Sequence, residues 1–359
     1  MFRNRHRWAE RAKYPGSHDS RHGHFMTQTQ QSTDRIQSVD AFRVLAIAAV
    51  IALHTAPHAG PDAVGLRFDA RTLCDQLERF AVPLFFILSG YFWAGRCRDG
   101  AACWTAGLAL ARRVYTLFLV WSVIYFLVTV ATGGLRPLPG LPTLLLQGTK
   151  VHLWFLPALA LAALVSGALL AGGMDRTLFV LALLLYGLGL AGKAYADTPF
   201  GFHTHVNMRN GLCFSLLMFA SGVRLRRVGP RPAWRWLGPA LALGGLALQL
   251  AEVAWLHSRW GTNMTQDFVV GTYFYGLGVA MLALSDPAPL RFPRLAGLGP
   301  LVLGIYASHN LFVDPLAGPG NPMRALPGWD VIVVAVVFAL ALASTALLAR
   351  FPLTRRLVA

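Results

Sequence analysis

Apolar residues in this sequence gather into ten long runs that are separated by short polar segments. The runs are about as long as a helix that crosses the hydrocarbon core of a bilayer, which needs roughly 17–25 residues. The sequence contains no long strands of alternating apolar and polar residues, which would favour a transmembrane β-barrel. We therefore predict an all-α polytopic membrane protein with about ten transmembrane helices. The predicted spans are 41–58, 77–95, 110–131, 151–171, 177–194, 209–224, 236–256, 268–285, 297–316 and 330–350.

The polar segments predict the domain organisation. The first 37 residues are rich in Arg, His, Ser and Gln, and they lack the apolar core of a secretory signal peptide. We predict that residues 1–37 form a disordered cytoplasmic tail and that residues 38–359 form one integral-membrane domain. The loops between the predicted spans are too short to hold a soluble domain.

Composition and charge agree with a membrane protein. Of the 359 residues, 55% are hydrophobic and 13% are charged, whereas a soluble domain carries about 25% charged residues. Basic segments alternate with nearly neutral ones, so the positive-inside bias places the basic segments and both termini in the cytoplasm. We attribute the net charge of +16 to topology and anionic lipid headgroups, not to nucleic-acid binding. The basic segments contain Arg96, Arg98, Arg112, Arg113, Arg224, Arg226, Arg227, Arg231, Arg235, Arg291, Arg294, Arg355 and Arg356.

The first predicted span carries two residues that are costly in a membrane, Arg43 and His54. An arginine at the centre of a membrane helix costs about 2.5–3.5 kcal/mol on insertion scales. Eleven residues at about 100° each return to within roughly 20° of the same helix face, about 16 Å further along the axis. We therefore expect both side chains to face one cavity, with Asp40 as an ion-pair partner of Arg43. The alternative is that Arg43 anchors the helix end and that His54 is ordinary packing.

Further polar side chains fall at the same predicted depth as His54, in the outer half of the bilayer. Histidines and carboxylates in one place are suited to general acid–base chemistry, because imidazole titrates near neutral pH. The alternative is that they belong to the polar and aromatic belt at the membrane interface. The candidates are Glu78, His152, Trp154, Tyr306, His309 and Asn310.

On the predicted cytoplasmic side, Arg112 and Arg113 open the third span and have the geometry to bind phosphate. Their alternative role is topological anchoring. Phosphate-binding loops, dinucleotide fingerprints, nucleophile elbows and zinc-protease motifs are absent from the sequence. The four cysteines show no metal-ligand spacing, and we predict no metal site.

Four motifs, in this order, resemble the integral-membrane acyltransferase-3 family. "DAFRVLAIAAVIALH" looks like its first helix, which has an arginine and a histidine separated by ten residues, and "FAVPLFFILSGYF" is similar to its second. "HLWFLPALALAAL" resembles the start of its fourth helix, and "LGIYASHNLF" resembles its late histidine motif. Together the motifs extend over nearly the whole chain.

The resemblance implies an O-acyltransferase that moves an acyl group, usually acetyl from acetyl-CoA, to a hydroxyl of a cell-surface glycan or lipid-linked sugar. Arg43 and His54 become the essential pair, with Glu78 or His309 orienting His54 or shuttling protons, and His152, Trp154, Tyr306 and Asn310 on the acceptor side. The family's pair of donor-binding arginines maps only in part: Arg113 matches, Arg112 is adjacent, and Leu110 takes the other position.

The family further implies a bacterial inner-membrane location and acyl-CoA as substrate, with no bound cofactor. Direct transfer and an acyl-histidine intermediate both remain open. The alternative function is a multi-pass transporter of a small solute or lipid-linked sugar, because a polar path through ten spans would serve it equally well. Such transporters often contain inverted repeats, and no internal repeat is evident in this sequence.

Overall fold

The computed structural model describes residues 21–55, 70–133, 140–285, 289, 292–318 and 320–358. Within these ranges every regular element is a helix, which confirms the all-helical prediction. Three short 3-10 turns lie at Val151–Trp154, Gly299–Leu301 and Pro322–Ala325. The helices are α1 Arg21–Thr55, α2 Ala70–Glu78, α3 Ala81–Ala94, α4 Gly100–Ala131, α5 Leu141–Gln147, α6 Phe155–Ala171, α7 Asp175–Ala191, α8 Ser215–Val228, α9 Trp234–Trp260, α10 Val270–Ala283, α11 Pro293–Ala296, α12 Val302–Ser308, α13 Asn310–Ala317, α14 Trp329–Ala349 and α15 Pro352–Arg355.

Six of the described helical segments are long and apolar enough to cross a membrane, and the number is seven if one bent pair counts as a span. The bent pair joins 293–308 to 310–317 at an angle of 57°. The other three predicted spans coincide with shorter helices, namely α7 with 17 residues and α8 and α10 with 14 each. Fourteen residues rise about 21 Å, which is less than the roughly 30 Å hydrocarbon core. The six segments are Gln37–Thr55, Thr72–Ala94, Gly100–Ala131, Val151–Ala171, Trp234–Trp260 and Trp329–Ala349.

The first described helix overlaps the predicted tail. Helix α1 begins at Arg21, so its first turns fall within the stretch that was predicted to be disordered. Residues 1–20 of that stretch lie outside the described residues.

Close helix packing positions α3 beside α8. A Cβ atom on Gly90 would lie 2.1 Å from the carbonyl oxygen of Phe219, and a Cβ atom on Gly222 would lie 1.9 Å from that of Ile87. Only glycine permits such backbone contact, and membrane helices commonly use small residues in this way. The two glycines therefore set the distance between α3 and α8. Helix α3 in turn forms one wall of the cavity that is described below.

Candidate active site

A cavity of about 390 Å³ lies among α1, α3, α4, α6 and α12. Arg43 and His54 both line it, which confirms the prediction that they face one cavity. Because the two residues stand about 16 Å apart along α1, the cavity follows the helix over that length. His152, Trp154 and Tyr306 also line it, so three residues predicted on the acceptor side share the cavity with the first-helix pair.

Three histidines from distant parts of the chain converge at one end of this cavity. The ring centroids of His152 and His309 lie 4.9 Å apart, those of His54 and His309 5.3 Å, and those of His54 and His152 6.2 Å. His54 belongs to α1, His152 to the 3-10 turn before α6, and His309 to the bend between α12 and α13. His152 and His309 are buried, whereas His54 is partly accessible.

The partners of His309 fix its tautomer. Its Nδ1 atom lies 2.7 Å from the carbonyl oxygen of Tyr306, which accepts a hydrogen bond and cannot donate one. Nδ1 therefore carries the proton, and in the neutral ring Nε2 presents a lone pair. Nε2 is buried and has no hydrogen-bond partner among the described residues. His309 thus offers an acceptor nitrogen inside the histidine cluster.

His152 is held from two sides. The amide Nδ2 of Asn310 donates to its Nδ1 at 2.5 Å, and the hydroxyl of Tyr306 donates to its backbone carbonyl at 2.5 Å. An Nδ1 that accepts leaves the proton on Nε2, and this Nε2 is also buried without a partner among the described residues. The neutral rings of His152 and His309 therefore present complementary groups, an N–H and a lone pair.

Two contacts position the elements that carry these rings. The hydroxyl of Tyr125 on α4 donates to the carbonyl of Ala307 at 2.8 Å, next to the bend. Such bends are typical where a side chain enters the helical hydrogen-bond ladder. Lys150, just before the 3-10 turn, forms an ion pair with Asp314 on α13. These contacts tie the segments that carry His152 and His309 to each other and to α4.

The arginines in the cavity outnumber their acidic partners. Arg43 forms the predicted ion pair with Asp40, at 2.9 Å. Asp40 itself packs so closely on Gly299 that a Cβ there would lie 2.4 Å from the carboxyl carbon. Arg96 and Arg113 line the same cavity and form no ion pair within the described part of the chain. Three guanidinium groups therefore share one carboxylate, which favours an anionic ligand.

Other sequence-predicted residues lie beside the cavity or away from it. Asn310 is buried, and its amide forms a hydrogen bond with the His152 ring; Asn310 does not line the cavity. Arg112 is exposed and is not part of the cavity wall, whereas Leu110 is. Glu78 ends α2 and is not part of the wall either, so the structure does not bring it together with the histidines in this cavity. In the described ranges, no group of His, Cys, Asp and Glu is arranged to hold a metal ion.

An ionic cluster that the sequence analysis did not find adjoins the cavity. The guanidinium of Arg209 lies 4.8 Å from the centroid of the Trp154 ring and 2.8 Å from a carboxylate oxygen of Asp267. Arg79 and Lys193 also bind Asp267, at 3.2 and 3.3 Å. Burial alone would raise the pKa of Asp267, but the three cations together lower it to about 2. No spacing rule connects these positions, because they come from four separate segments.

Comparison with known proteins gives a family match and two partial relatives. A family model described as an acyltransferase domain matches residues 36–348. An amino-acid racemase of Enterococcus faecalis is 29% identical over 199 residues, which cover 51% of this chain and 27% of the relative. A serine/alanine racemase of Enterococcus gallinarum is 28% identical over 250 residues, which cover 62% of this chain and 33% of the relative. The chain spans about a third or less of the length of these relatives, and no solved structure matches it significantly.

Proposed function

Because the chain belongs to the acyltransferase-3 family, we propose that it transfers an acyl group, acetyl in the first instance, from cytoplasmic acyl-CoA to a hydroxyl of an extracytoplasmic glycan or lipid-linked sugar. The observation that carries the proposal is the single cavity that joins the arginines to the histidine cluster. The racemase names of the relatives are not transferred to this chain, since about two thirds of each relative's length is unmatched.

The donor is proposed to bind at the arginines. Coenzyme A carries a diphosphate and a further phosphate, and guanidinium groups suit phosphate geometry. The proposal gives this role to Arg113, which lines the cavity, and not to Arg112, which stands outside the cavity wall. Arg96, which lines the same cavity without an acidic partner, supplies a further cation. Arg43, held by Asp40, steers the thioester arm along α1 towards His54.

The chemistry is proposed to take place at the histidine cluster. His54 removes the proton from the acceptor hydroxyl, the oxygen attacks the thioester carbonyl carbon, and the C–S bond breaks to release the coenzyme A thiol, which takes up the proton. His309 is proposed to take up the proton from His54 during the reaction, because its Nε2 presents an unpaired acceptor in this cluster. In the proposal, the Nε2–H of His152 turns towards the thioester and stabilises the negative charge that develops on its carbonyl oxygen.

Transfer through a covalent acyl-histidine is the second chemical route open to the same groups. In that route a ring nitrogen of His54 attacks the thioester carbonyl carbon, and the C–S bond breaks to release the coenzyme A thiol with the imidazole proton. The acceptor oxygen then attacks the acyl-imidazole, the acyl–nitrogen bond breaks, and the hydroxyl proton returns to the ring. A rapid burst of thiol release in the absence of acceptor, equal to one thiol per protein, would distinguish this route from direct transfer.

The proposed topology has ten spans with both termini in the cytoplasm of a bacterial inner membrane. The proposal assigns one crossing to each of the six long segments, one to the bent pair and one to each of the shorter helices α7, α8 and α10. The shorter helices would cross with the help of the ordered segments that precede α8 and α10. Cysteine accessibility at introduced sites in 257–267 and 229–233, labelled from outside intact cells, tests this orientation.

One experiment tests the function directly. Purified protein is reconstituted into proteoliposomes that contain radiolabelled acetyl-CoA on one side and a lipid-linked saccharide acceptor on the other. Label that appears in an ester of the acceptor, together with stoichiometric thiol release, supports the proposal. Movement of a solute without any consumption of acetyl-CoA would support a transporter instead.

A further inference from the structure

A second cavity lies between α7 and α8, apart from the histidine cluster. It measures about 170 Å³. Its wall combines the apolar side chains of Phe179, Val223 and Val228 with the charged side chains of Arg224, Arg227 and Asp175. The cavity wall is therefore amphipathic, with cations beside an apolar surface.

The two arginines in this wall are not equally neutralised. Arg227 forms an ion pair with Asp175. The guanidinium of Arg224 lies 5.8 Å from the centroid of the Phe179 ring and forms no ion pair or hydrogen bond within the described part of the chain. The ring face is a weak partner for an exposed cation. The cavity therefore keeps an excess of positive charge.

The surrounding surface has the same sign. Segments 171–180 and 221–240 contain six arginines and one acidic residue, Asp175. The four arginines outside the cavity wall are all exposed, and they are Arg176, Arg226, Arg231 and Arg235. Such an excess attracts anions over about a Debye length, and a fixed cavity selects among them by shape.

The position of this cavity fits the membrane interface. Arg226 lies 5.2 Å from the centroid of the Tyr91 ring and packs beside Gly95, so the end of α8 stands next to Arg96. Trp236 at the start of α9 is 70% exposed, and the guanidinium of Arg235 lies 4.8 Å from its ring. Exposed tryptophan beside arginine is typical of the headgroup region of a bilayer.

We propose that the cavity between α7 and α8 binds the phosphate of an anionic phospholipid headgroup, of the phosphatidylglycerol class. Arg224 and Arg227 hold the phosphate, and Phe179 and Val228 contact the glycerol and the first methylene groups. Basic pockets between membrane helices on the cytoplasmic side are suited to anionic headgroups. A free phosphate or the phosphate of a nucleotide would gain nothing from the apolar part of the wall. The proposal does not depend on the transferase activity.

Native mass spectrometry of the full-length protein in detergent tests the proposal with short-chain phosphatidylglycerol and phosphatidylcholine as probes. We expect the wild-type protein to retain phosphatidylglycerol and to lose phosphatidylcholine. The double variant Arg224→Gln/Arg227→Gln is expected to retain at least about fivefold less phosphatidylglycerol. The matched control, Arg231→Gln/Arg235→Gln, removes two charges outside the cavity wall and is expected to change retention less than twofold. An equal loss in both double variants would overturn the proposal in favour of diffuse surface attraction.

A variant that is expected to bind more phosphatidylglycerol tests whether misfolding, and not loss of the site, explains reduced lipid binding. Asp175→Asn frees Arg227 from its carboxylate and is expected to raise phosphatidylglycerol retention about twofold or more; reduced retention would contradict the proposal. Addition of millimolar inorganic phosphate or coenzyme A distinguishes the source of the phosphate. Neither is expected to displace the lipid, and displacement by either would assign the cavity to a soluble phosphate.

Discussion

The ring centroids of His54 and His309 lie 5.3 Å apart. The two imidazoles meet where α1 packs against the bend between α12 and α13. His54 lines the cavity, whereas His309 is buried behind it with its Nδ1–H held by the carbonyl of Tyr306. In the proposed mechanism the rings therefore have different tasks: His54 contacts the acceptor, and His309 acts on the reaction through His54.

Substitution of these two histidines should give unequal and non-additive losses. We expect His54→Ala to lower the acyl-transfer rate by about 10²–10⁴-fold, the range typical of a general base. His309→Ala should lower it by about tenfold, and the double variant should be no slower than His54→Ala, because groups that act as a unit are not additive. Radiolabelled acetyl transfer in proteoliposomes measures the rates.

The matched control for this series is His203→Ala. Its side chain is 78% exposed and lies outside the cavity wall, so the rate should stay within twofold of wild type. If the losses at His54 and His309 were independent and multiplied in the double variant, the relay between the two rings would be refuted.

Sequence reasoning reached the first-helix pair because both residues lie on one helix, where periodicity fixes the face. It matched His152 and His309 to the depth of His54 because His152 opens the fourth predicted span at the outer face and His309 lies towards the outer side of the ninth. Predicted depth alone did not separate Glu78 from the residues that line the cavity, although Glu78 stands outside the cavity wall. The 57° bend at His309 and the cation cluster on Asp267 were beyond prediction, because they depend on contacts between segments far apart in the chain.

Arg96 should contribute to binding of the donor's phosphates and not to the chemical step. We expect Arg96→Gln to raise the KM for acetyl-CoA by about tenfold or more with kcat little changed, since a charge-assisted hydrogen bond contributes about 1.5–3 kcal/mol. With acetyl-pantetheine, which lacks the phosphates, the variant and the wild type should have similar KM values. Steady-state kinetics with the two donors make the comparison.

Arg98→Gln is the control for Arg96→Gln, because Arg98 is an exposed arginine two residues away that does not line the cavity. It should leave both KM values within about twofold of wild type. A similar rise in KM for both donors in the Arg96 variant would argue against phosphate binding and for a change in cavity shape.

The contact of Gly222 with the backbone of Ile87 should make this glycine intolerant of any side chain. Gly222→Ala places a methyl carbon 1.9 Å from the carbonyl oxygen of Ile87, so we expect α3 and α8 to move apart. The free energy of unfolding should fall by about 1–3 kcal/mol, and the KM should rise. Gly187→Ala is the control, because its added methyl group would meet no described atom within 4 Å beyond its chain neighbours and its own helix backbone, and alanine favours a helix by about 1 kcal/mol. Thermal unfolding in detergent measures both changes, and a harmless Gly222→Ala would contradict the packing.

Glu252 should stabilise the start of α10. Its carboxylate accepts hydrogen bonds from the backbone N–H groups of Val270 and Gly271 at 3.0 and 3.1 Å, and from the hydroxyl of Tyr195 at 2.5 Å. We expect Glu252→Ala to lower the free energy of unfolding by about 2–3 kcal/mol, because it removes a cap and leaves one buried and one partly buried backbone N–H unpaired. Tyr195→Phe removes one of the three bonds and should cost about 1 kcal/mol. Equal melting temperatures for the two variants would contradict this assignment.

Asp267 should contribute stability that disappears only in strong acid. The three cations around it hold its folded-state pKa at about 2, below the value of 3.8 for an unperturbed aspartate. A depressed folded-state pKa stabilises the native state above the unfolded pKa, and the contribution is lost as the pH falls through the folded pKa. The difference corresponds to about 2 kcal/mol.

Asp267→Asn should therefore lower the apparent melting temperature by a constant amount from pH 7 to about pH 5. Between about pH 4 and pH 2 the difference from wild type should shrink towards zero, because the wild-type carboxylate becomes neutral as well. Asp197→Asn is the control, since that carboxylate is 57% exposed and contacts His203 alone among the described ion pairs. If the wild type still melted at the same higher temperature than Asp267→Asn at pH 2, the stabilisation would depend on the shape of the Asp267 side chain and not on its charge.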